Sequence, residues 1–218
     1  MKYIAVVLLF FCYIEFDVYA QNSHVLSKEE ENEIKARIVD KLEDFQFWLE
    51  EMADKKNSQQ VRTSAYESNV LLFIGKCEPY TVTNISTGVL EKKEAVKMET
   101  SSISSGIERR KIQPMKQYFI NILNNRTYSN IKIEQSEAVR VDNIRKVGDG
   151  KYEAIAHIHQ YFTGYGGVEM NYAVLYSDHT EKAVKIIIDY YELPTSIGIE
   201  RIYEIKLGDM KVSLTERL

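Results

Sequence analysis

Hydrophobic residues recur at steps of three and four along the first part of the chain. The stripe consists of Ile34, Ile38, Leu42, Phe45, Leu49 and Met52, with Trp48 beside it. Ser27-Lys28-Glu29-Glu30 has the composition of a capping box, in which a serine and a glutamate bond each other's backbone N–H groups. The pattern therefore predicts an amphipathic helix from Lys28 to about Lys55. Its two large aromatic side chains indicate that it covers a sizeable surface, such as the face of a sheet.

Two shorter helices are predicted downstream. Gln59–Leu72 carries apolar side chains along one side and is stopped by Gly75 and Pro79. Met115–Asn124 begins directly after Pro114, a residue that suits the first turn of a helix. Between these two helices we expect short strands at Tyr80–Thr83 and Ala95–Ser101, an exposed turn over Asn84–Lys93 and a polar loop over Ser101–Lys111.

The pattern changes to strand periodicity in the second half of the chain. Lys151–Phe162 is rich in β-branched and aromatic residues and follows the turn sequence Gly148-Asp149-Gly150. Alternation places Tyr152, Ala154, Ala156, Ile158, Gln160 and Phe162 on one face, and Glu153, Ile155, His157, His159 and Tyr161 on the other. We expect a helix to cover one face and a partly polar cavity to adjoin the other.

The strands after this stretch are predicted to form a meander. Thr163–Gly167 and Ser177–Thr180 have turn composition and separate the central stretch from Glu169–Tyr176 and Ala183–Tyr191. Extended segments at Ile131–Gln135 and Ala138–Val147 precede it. Ile199–Leu207 and Met210–Leu214 follow it and are joined by a predicted tight turn at Gly208-Asp209. Helices first and strands later indicate an α+β domain with an antiparallel sheet.

This order resembles the nuclear transport factor 2-like fold. The segments that carry the resemblance are Lys28–Lys55, Leu71–Gly75, Met115–Asn124, Lys151–Phe162, Ala183–Tyr191 and Ile202–Leu207. The resemblance implies N-terminal helices packed on a strongly curved antiparallel sheet that closes over a cone-shaped pocket. The chain resembles the exported bacterial members without an assigned activity more than it resembles the polyketide-cyclase-like enzymes of the family. The family includes isomerases, dehydratases, cyclases, and binding and assembly modules, so the fold does not give the function. Lipocalin-like and cystatin-like sheets are the structural alternatives.

The N-terminus has the composition of a signal peptide. An apolar run of about a dozen residues from Tyr3 follows Lys2 and is too short to span a bilayer, which needs about 20 residues. Val18-Tyr19-Ala20 matches a cleavage site, so we expect a signal peptide over 1–20 and one domain over 21–218. An uncleaved membrane anchor is the alternative. Cys77 would then be the only cysteine of the mature chain, which fits a periplasmic or secreted bacterial protein without disulfides.

Composition excludes several classes of function. The chain of 218 residues is 44% hydrophobic and 28% charged with a net charge of -4, which is typical of a globular protein and gives no footprint for nucleic acid. Gly164–Gly167 is expected to be a turn, and no phosphate-binding motif or serine nucleophile motif occurs. Asn84 and Asn125 begin glycosylation tripeptides, which matter only in a eukaryotic secretory pathway.

The histidines of the central strand are the most conspicuous candidates for chemistry. His157 and His159 share one face and could bind a metal if His179 or Asp189 supplied a third ligand. The simpler interpretation is two polar residues on a partly exposed sheet face, so we expect no metal and no cofactor. Alternatively, His157, His159 and Asp142 could meet inside a pocket, where an Asp–His pair would serve as general acid and base.

Tyrosines concentrate in the same region and indicate a binding surface. Tyr161, Tyr176 and Tyr191, together with Asp189, are the candidate ligand-binding residues for a small molecule, a glycan or a peptide. We therefore expect an exported, non-enzymatic binding or assembly module that uses a cavity or a sheet face. The alternative is an enzyme of the cyclase, isomerase or dehydratase type. Apolar residues on both faces of the sheet also favour a homodimer.

Overall fold

The long N-terminal helix begins where its sequence predicts. A computed structural model describes residues 25–84, 87–135, 139–167, 173–196 and 198–218, so the signal segment and its cleavage site lie outside the described residues. Helix α1 (Lys28–Ala53) follows Ser27, whose hydroxyl accepts from the Glu30 N–H at 3.1 Å while the Glu30 carboxylate accepts from the Ser27 N–H at 2.8 Å. This reciprocal pair satisfies two backbone donors at the end of the helix. None of the described helices is long and apolar enough to cross a bilayer.

The two shorter helices are confirmed as well. Helix α2 (Gln59–Leu72) is capped by Ser58, and helix α3 (Met115–Leu123) begins after Pro114. Arg62 on α2 ties the other two helices together, because its guanidinium donates to the carbonyl of Met52 at 2.9 Å and to that of Leu123 at 2.6 Å. Carbonyls at helix C-termini lack intrahelical partners, so this one side chain satisfies two of them.

Ten strands are found in the rest of the described chain, and the α+β class is confirmed. They are β1 (Tyr80–Thr83), β2 (Leu90–Lys93), β3 (Lys97–Ser104), β4 (Ile107–Pro114), β5 (Asn130–Gln135), β6 (Arg140–Val141), β7 (Arg145–Gly148), β8 (Lys151–Gly166), β9 (Ala173–Thr195) and β10 (Gly198–Arg217). β1 and β2 form a separate hairpin. The large sheet has the order β4-β3-β10-β9-β8-β5, and β6 and β7 also pair with β8. It is mixed and not wholly antiparallel, because β10 runs parallel to β3 where Met210 pairs with Met98.

Two of the predicted turns in the second half lie inside strands. Ser177–Thr180 lies within β9, and Gly208-Asp209 lies at a register shift within β10. β8 also continues through Gly166, past the start of the predicted glycine-rich turn. β9 pairs with β8 on one side and with β10 on the other, as at Thr180, whose partners are Gln160 and Thr215. Pairing on both sides outweighs the local preference of serine, aspartate and threonine for turns.

The expected loops before α3 are also partly wrong. Ser101–Lys111 belongs to the β3–β4 hairpin, whose turn places Ser105 and Gly106 at φ values of 51° and 76°. Glycine adopts this backbone region without strain. Within Asn84–Lys93, the last four residues form β2 and pair with β1. Short polar strands of this kind lack the apolar alternation on which a prediction from sequence depends.

The core lies between the helices and one face of the sheet. Ala154, Ala156 and Ile158 of β8 are buried against the stripe of α1, together with Val184, Ile186 and Ile188 of β9. Phe73 contacts both Phe45 and Phe119 in edge-to-face geometry at 5.8 Å between ring centroids. We call the face of the sheet that packs against the helices the inner face. The outer face carries the alternate residues of the same strands.

Candidate functional site

A cavity of about 510 Å³ opens on the inner face, between the sheet and α3. Ligand sites in proteins commonly have volumes in this range and apolar walls with a few polar groups. The walls come from Tyr118 and Ile122 of α3, from Tyr128, and from strands β3, β4, β8 and β9. The residues that β8 and β9 contribute are Gln160, Phe162, Tyr176, Asp178, Thr180 and Lys182. Strand alternation explains the last four, which are spaced two apart on β9.

Lys182 forms the floor of the cavity. It is 4% exposed, and its Nζ donates to Gln160 Oε1 at 2.6 Å. An ammonium has three protons to donate, and Gln160 is its only hydrogen-bond acceptor among the described residues. Burial lowers the pKa of Lys182 to about 8, an effect that the charge of Asp178 partly opposes. The Nζ also lies 6.0 Å from the ring centroid of Tyr118.

Gln160 is held in one orientation by a chain of hydrogen bonds. Its Nε2 donates to Gln46 Oε1 at 3.1 Å, and Gln46 Nε2 donates to the carbonyl of Ile133 at 2.9 Å and to Glu50 Oε1 at 2.7 Å. Because both protons of the Gln46 amide are used, its oxygen must face Gln160. The Gln160 oxygen therefore points to Lys182 and fixes the position of the amine.

Asp178 lies two residues from Tyr176 and is also buried, at 3% exposure. One carboxylate oxygen accepts from the Tyr176 hydroxyl at 2.6 Å, and that hydroxyl accepts from the Ile103 N–H at 3.0 Å. Burial raises the pKa of Asp178, whereas the Tyr176 hydrogen bond and the charges of Lys182 and Arg217 lower it. Burial and the Asp178 bond together raise the pKa of Tyr176 to about 12. The cavity thus holds an acid and an amine that are both shielded from water.

The rim of the cavity is basic. Arg109 and Lys111 are exposed residues of β4 that line it, and neither forms an ion pair with any residue in the described part of the chain. Arg110 between them is engaged, since its guanidinium donates to Glu108 and to the carbonyl of Val212, each at 2.8 Å. Two unpaired positive charges at the rim favour the entry of an anion.

The candidate acid–base pair is brought together, but on the outer face. His157 Nε2 lies 3.2 Å from Asp142 Oδ2, and its Nδ1 lies 3.6 Å from Glu181 Oε1. The Asp142 side chain is 46% exposed, so water reaches the pair. No wall of the inner cavity includes either residue. The geometry suits a surface hydrogen bond better than catalysis in a closed pocket.

The second histidine of the central strand pairs with a histidine of β9. His159 Nδ1 lies 3.1 Å from His179 Nε2, and the two rings stack at 5.3 Å between centroids. Tyr161 stacks on His179 at 4.7 Å, and His179 Nδ1 lies 3.6 Å from Glu216. Nevertheless, no group of three metal-ligating side chains occurs in the part of the chain that the structure describes.

The candidate ligand-binding residues are divided between the two faces. Tyr176 lines the inner cavity. Tyr161 lies on the outer face, where Asp189 accepts from Lys151 Nζ at 2.7 Å. Tyr191 is 41% exposed and does not line the cavity. The structure therefore does not gather the candidates from sequence into one pocket.

Sequence reasoning missed most of the cavity's polar residues. Asp178 and Thr180 were assigned to a predicted turn, and Lys182 followed it, so none was placed on a strand face. The signal that could have found them is the spacing of two that continues from Tyr176 into the buried run Val184, Ile186 and Ile188. Gln160 was correctly placed on the face with Ile158, but a single glutamine gave no reason to expect a site.

Comparisons with models of protein families and with curated proteins find no match to this chain. The geometry of the inner cavity is therefore the basis for a functional assignment.

Proposed function

We propose that this protein binds a small organic anion with a flat, largely apolar body in the inner cavity. The observation that carries the proposal is the buried amine of Lys182, which has donors to spare at the floor of a cavity with an unpaired basic rim. A buried amine is costly unless something hydrogen-bonds it. A ligand with an acceptor atom at its inner end would supply the missing partner.

The distribution of charge defines the class of ligand further. Arg109 and Lys111 at the rim would pair with an anionic group, and the rings of Tyr118, Phe162 and Tyr176 would contact the body between the two ends. Aromatic side chains bind flat apolar molecules through stacked or edge-on contacts. This arrangement favours a ligand that is anionic at one end and a hydrogen-bond acceptor at the other.

We also propose that the domain is nuclear transport factor 2-like and that the chain is exported. The strand order β4-β3-β10-β9-β8-β5 behind two N-terminal helices and α3 supports the first proposal. The signal-like sequence of residues 1–20 supports the second. In that family the pocket lies between helices and sheet, which is where the cavity lies here.

Calorimetric titration with 6-hydroxy-2-naphthoate tests the binding proposal. This probe is flat, carries a carboxylate at one end and presents a hydroxyl at the other, and 2-naphthol is the matched probe without the carboxylate. We expect the double variant Arg109→Ala/Lys111→Ala to weaken binding of the naphthoate about tenfold, because about 1.4 kcal/mol is lost with two exposed charge contacts. Binding of 2-naphthol should not change.

Lys211→Ala is the control for this experiment. Lys211 is an exposed lysine of β10 between the buried residues Met210 and Val212, so its side chain points to the outer face. It should leave the affinity for both probes unchanged. Equal loss of affinity in the control and in the rim variant, or no measurable binding of the naphthoate to the wild type, would refute the proposal.

A homodimer formed through the outer face is the second candidate function. Ile155, Tyr161 and Leu214 are 37%, 37% and 45% exposed there, which favours cover by a second copy of this chain. Charged pairs such as Lys185–Glu153 separate these residues, so the apolar area is broken. Sedimentation velocity of the wild type and of Tyr161→Lys tests this candidate. A homodimer that uses the outer face predicts a dimeric wild type and a monomeric variant.

A further inference from the structure

Lys182 differs from an ordinary buried lysine in the nature of its partner. Buried lysines are usually paired with carboxylates, because an unpaired ammonium loses its hydration without compensation. The acceptor here is the neutral amide oxygen of Gln160, and Lys182 forms no ion pair with a carboxylate of the described residues, although the charge of Asp178 acts on it from a greater distance. An amide orients the amine but stabilises its charged form less than a carboxylate would. This is the environment that makes a lysine nucleophilic.

We propose that Lys182 forms a reversible imine with the carbonyl group of a ketone or aldehyde whose anionic end lies at the basic rim. This inference rests on the proposed function, since it assumes that an organic anion enters the inner cavity. It adds that the acceptor atom at the inner end of the ligand is a carbonyl oxygen. The lowered pKa of Lys182 gives a neutral amine near pH 8, which is the form that attacks a carbonyl.

The proposed step is balanced without any oxidant or reductant. The lone pair of the neutral Lys182 amine forms a bond to the carbonyl carbon, and one amine proton moves to the carbonyl oxygen to give a carbinolamine. The carbinolamine hydroxyl then takes a proton and leaves as water, while the nitrogen forms the double bond to carbon. That proton is taken up from solvent and returns to solvent when the imine is hydrolysed; Asp178 lines the same cavity, and its charge acts on Lys182. Hydrolysis reverses the sequence.

The position of Lys182 selects among carbonyl compounds. The amine lies at the floor and is 4% exposed, whereas Arg109 and Lys111 are exposed at the rim. A ligand that contacts both the buried amine and the exposed rim must carry its carbonyl and its anionic group at opposite ends. The ligand class is therefore an oxo acid whose two groups are separated by a rigid apolar spacer.

Reductive trapping tests the proposal directly. Wild-type protein is incubated with 6-acetyl-2-naphthoate or with the shorter 4-acetylbenzoate, then reduced with sodium cyanoborohydride, digested and mapped by mass spectrometry. We expect one adduct, located on Lys182 and heavier than the unmodified peptide by the probe less one oxygen atom. Its yield should be higher at about pH 8 than at about pH 6, because the lowered pKa of Lys182 leaves a larger share of the amine neutral at the higher pH.

Two lysines on β9 provide the matched variants. Lys182→Met should abolish the adduct, whereas Lys185→Met, which removes a half-buried lysine on the outer face, should leave its yield unchanged. Mapping of the wild type stands even if Lys182→Met does not fold. The inference is overturned if neither probe is trapped, or if the adducts are spread over exposed lysines.

Failure of this inference is distinguishable from failure of the binding proposal. The alcohol 6-(1-hydroxyethyl)-2-naphthoate has the same shape and charge as the longer probe but cannot form an imine. If this alcohol binds and the ketone leaves no adduct on Lys182, the cavity remains an anion site and only the imine is refuted. If the alcohol also fails to bind, both proposals are refuted.

Discussion

Both faces of strands β8 and β9 carry titratable side chains, but the two faces bury these side chains to different extents. On the outer face, His157 contacts Asp142 and Glu181, and water reaches all three side chains. On the inner face, Asp178 and Lys182 are 3% and 4% exposed. Neighbouring residues of the same two strands therefore point alternately to a solvated surface network and to a cavity in which the acid and the amine are buried.

This contrast shows that burial decides which ionisable residues are chemically unusual. An exposed ion pair contributes little, because solvent screens it and the side chains lose freedom. The desolvation cost of a buried ammonium is not offset when its hydrogen-bond partner is neutral, so the pKa of the amine falls. The histidines are more conspicuous in the sequence, but the lysine has the more reactive environment.

The largest expected effect tests whether the inner face is the one that the fold depends on. Ile158 is fully buried on β8, whereas Ile155 on the outer face is 37% exposed. Ile158→Ala should lower the free energy of unfolding by about 3 kcal/mol, because it removes buried methyl groups and leaves a cavity. Ile155→Ala should lower it by less than about 1 kcal/mol. Urea denaturation measures both, and equal losses would contradict the assignment of faces.

An intermediate effect tests the burial of Lys182 through the pH dependence of stability. The pKa is about 8 in the folded protein and 10.5 in an exposed lysine, so between these values the unfolded state binds more protons. Stability must then rise with pH in this window, by about 1–2 kcal/mol from pH 8 to 9.5. Urea denaturation at several pH values measures this rise.

Lys182→Met and Lys185→Met separate this effect from other titrations. The rise should be absent in Lys182→Met and retained in Lys185→Met, whose lysine is paired with Glu153 on the outer face. A rise of equal size in both variants would show that the amine of Lys182 is not shielded from water.

The smallest expected effect concerns the outer histidines. His159→Gln should change the affinity for 6-hydroxy-2-naphthoate by less than about twofold, because the ring contacts His179 and Tyr161 and not the cavity. Calorimetric titration checks this, with Lys182→Met as the comparison that should lose affinity. A tenfold loss in His159→Gln would move the ligand site to the outer face.

Local signals were enough to predict the three helices. The capping box at Ser27, the apolar stripe of α1 and the proline before α3 act within one or two helical turns, so the sequence nearby determines them. The β3–β4 hairpin and the continuity of β9 depend on partners distant in the chain, such as β10 beside β9. These features could not be read from local composition.

The candidate site also depends on strand pairing between distant parts of the chain, so it could not be predicted from local composition. Alternation correctly separated His157 from Gln160 but could not say which face the helices cover. Treating Ser177–Thr180 as a turn then removed Asp178 from the strand on which it lines the cavity. The acidic and basic groups of the cavity become recognisable only when β9 is known to run unbroken through these residues.

Side-chain NMR during titration with 6-hydroxy-2-naphthoate shows directly which face of the sheet the ligand contacts. If the ligand binds in the inner cavity, the side-chain amide signals of Gln160 and the Cε signal of Lys182 shift with the binding curve. The imidazole signals of His157, His159 and His179 should stay unchanged. Shifts confined to the histidines, with Gln160 and Lys182 unaffected, would contradict the claim that the ligand binds in the inner cavity.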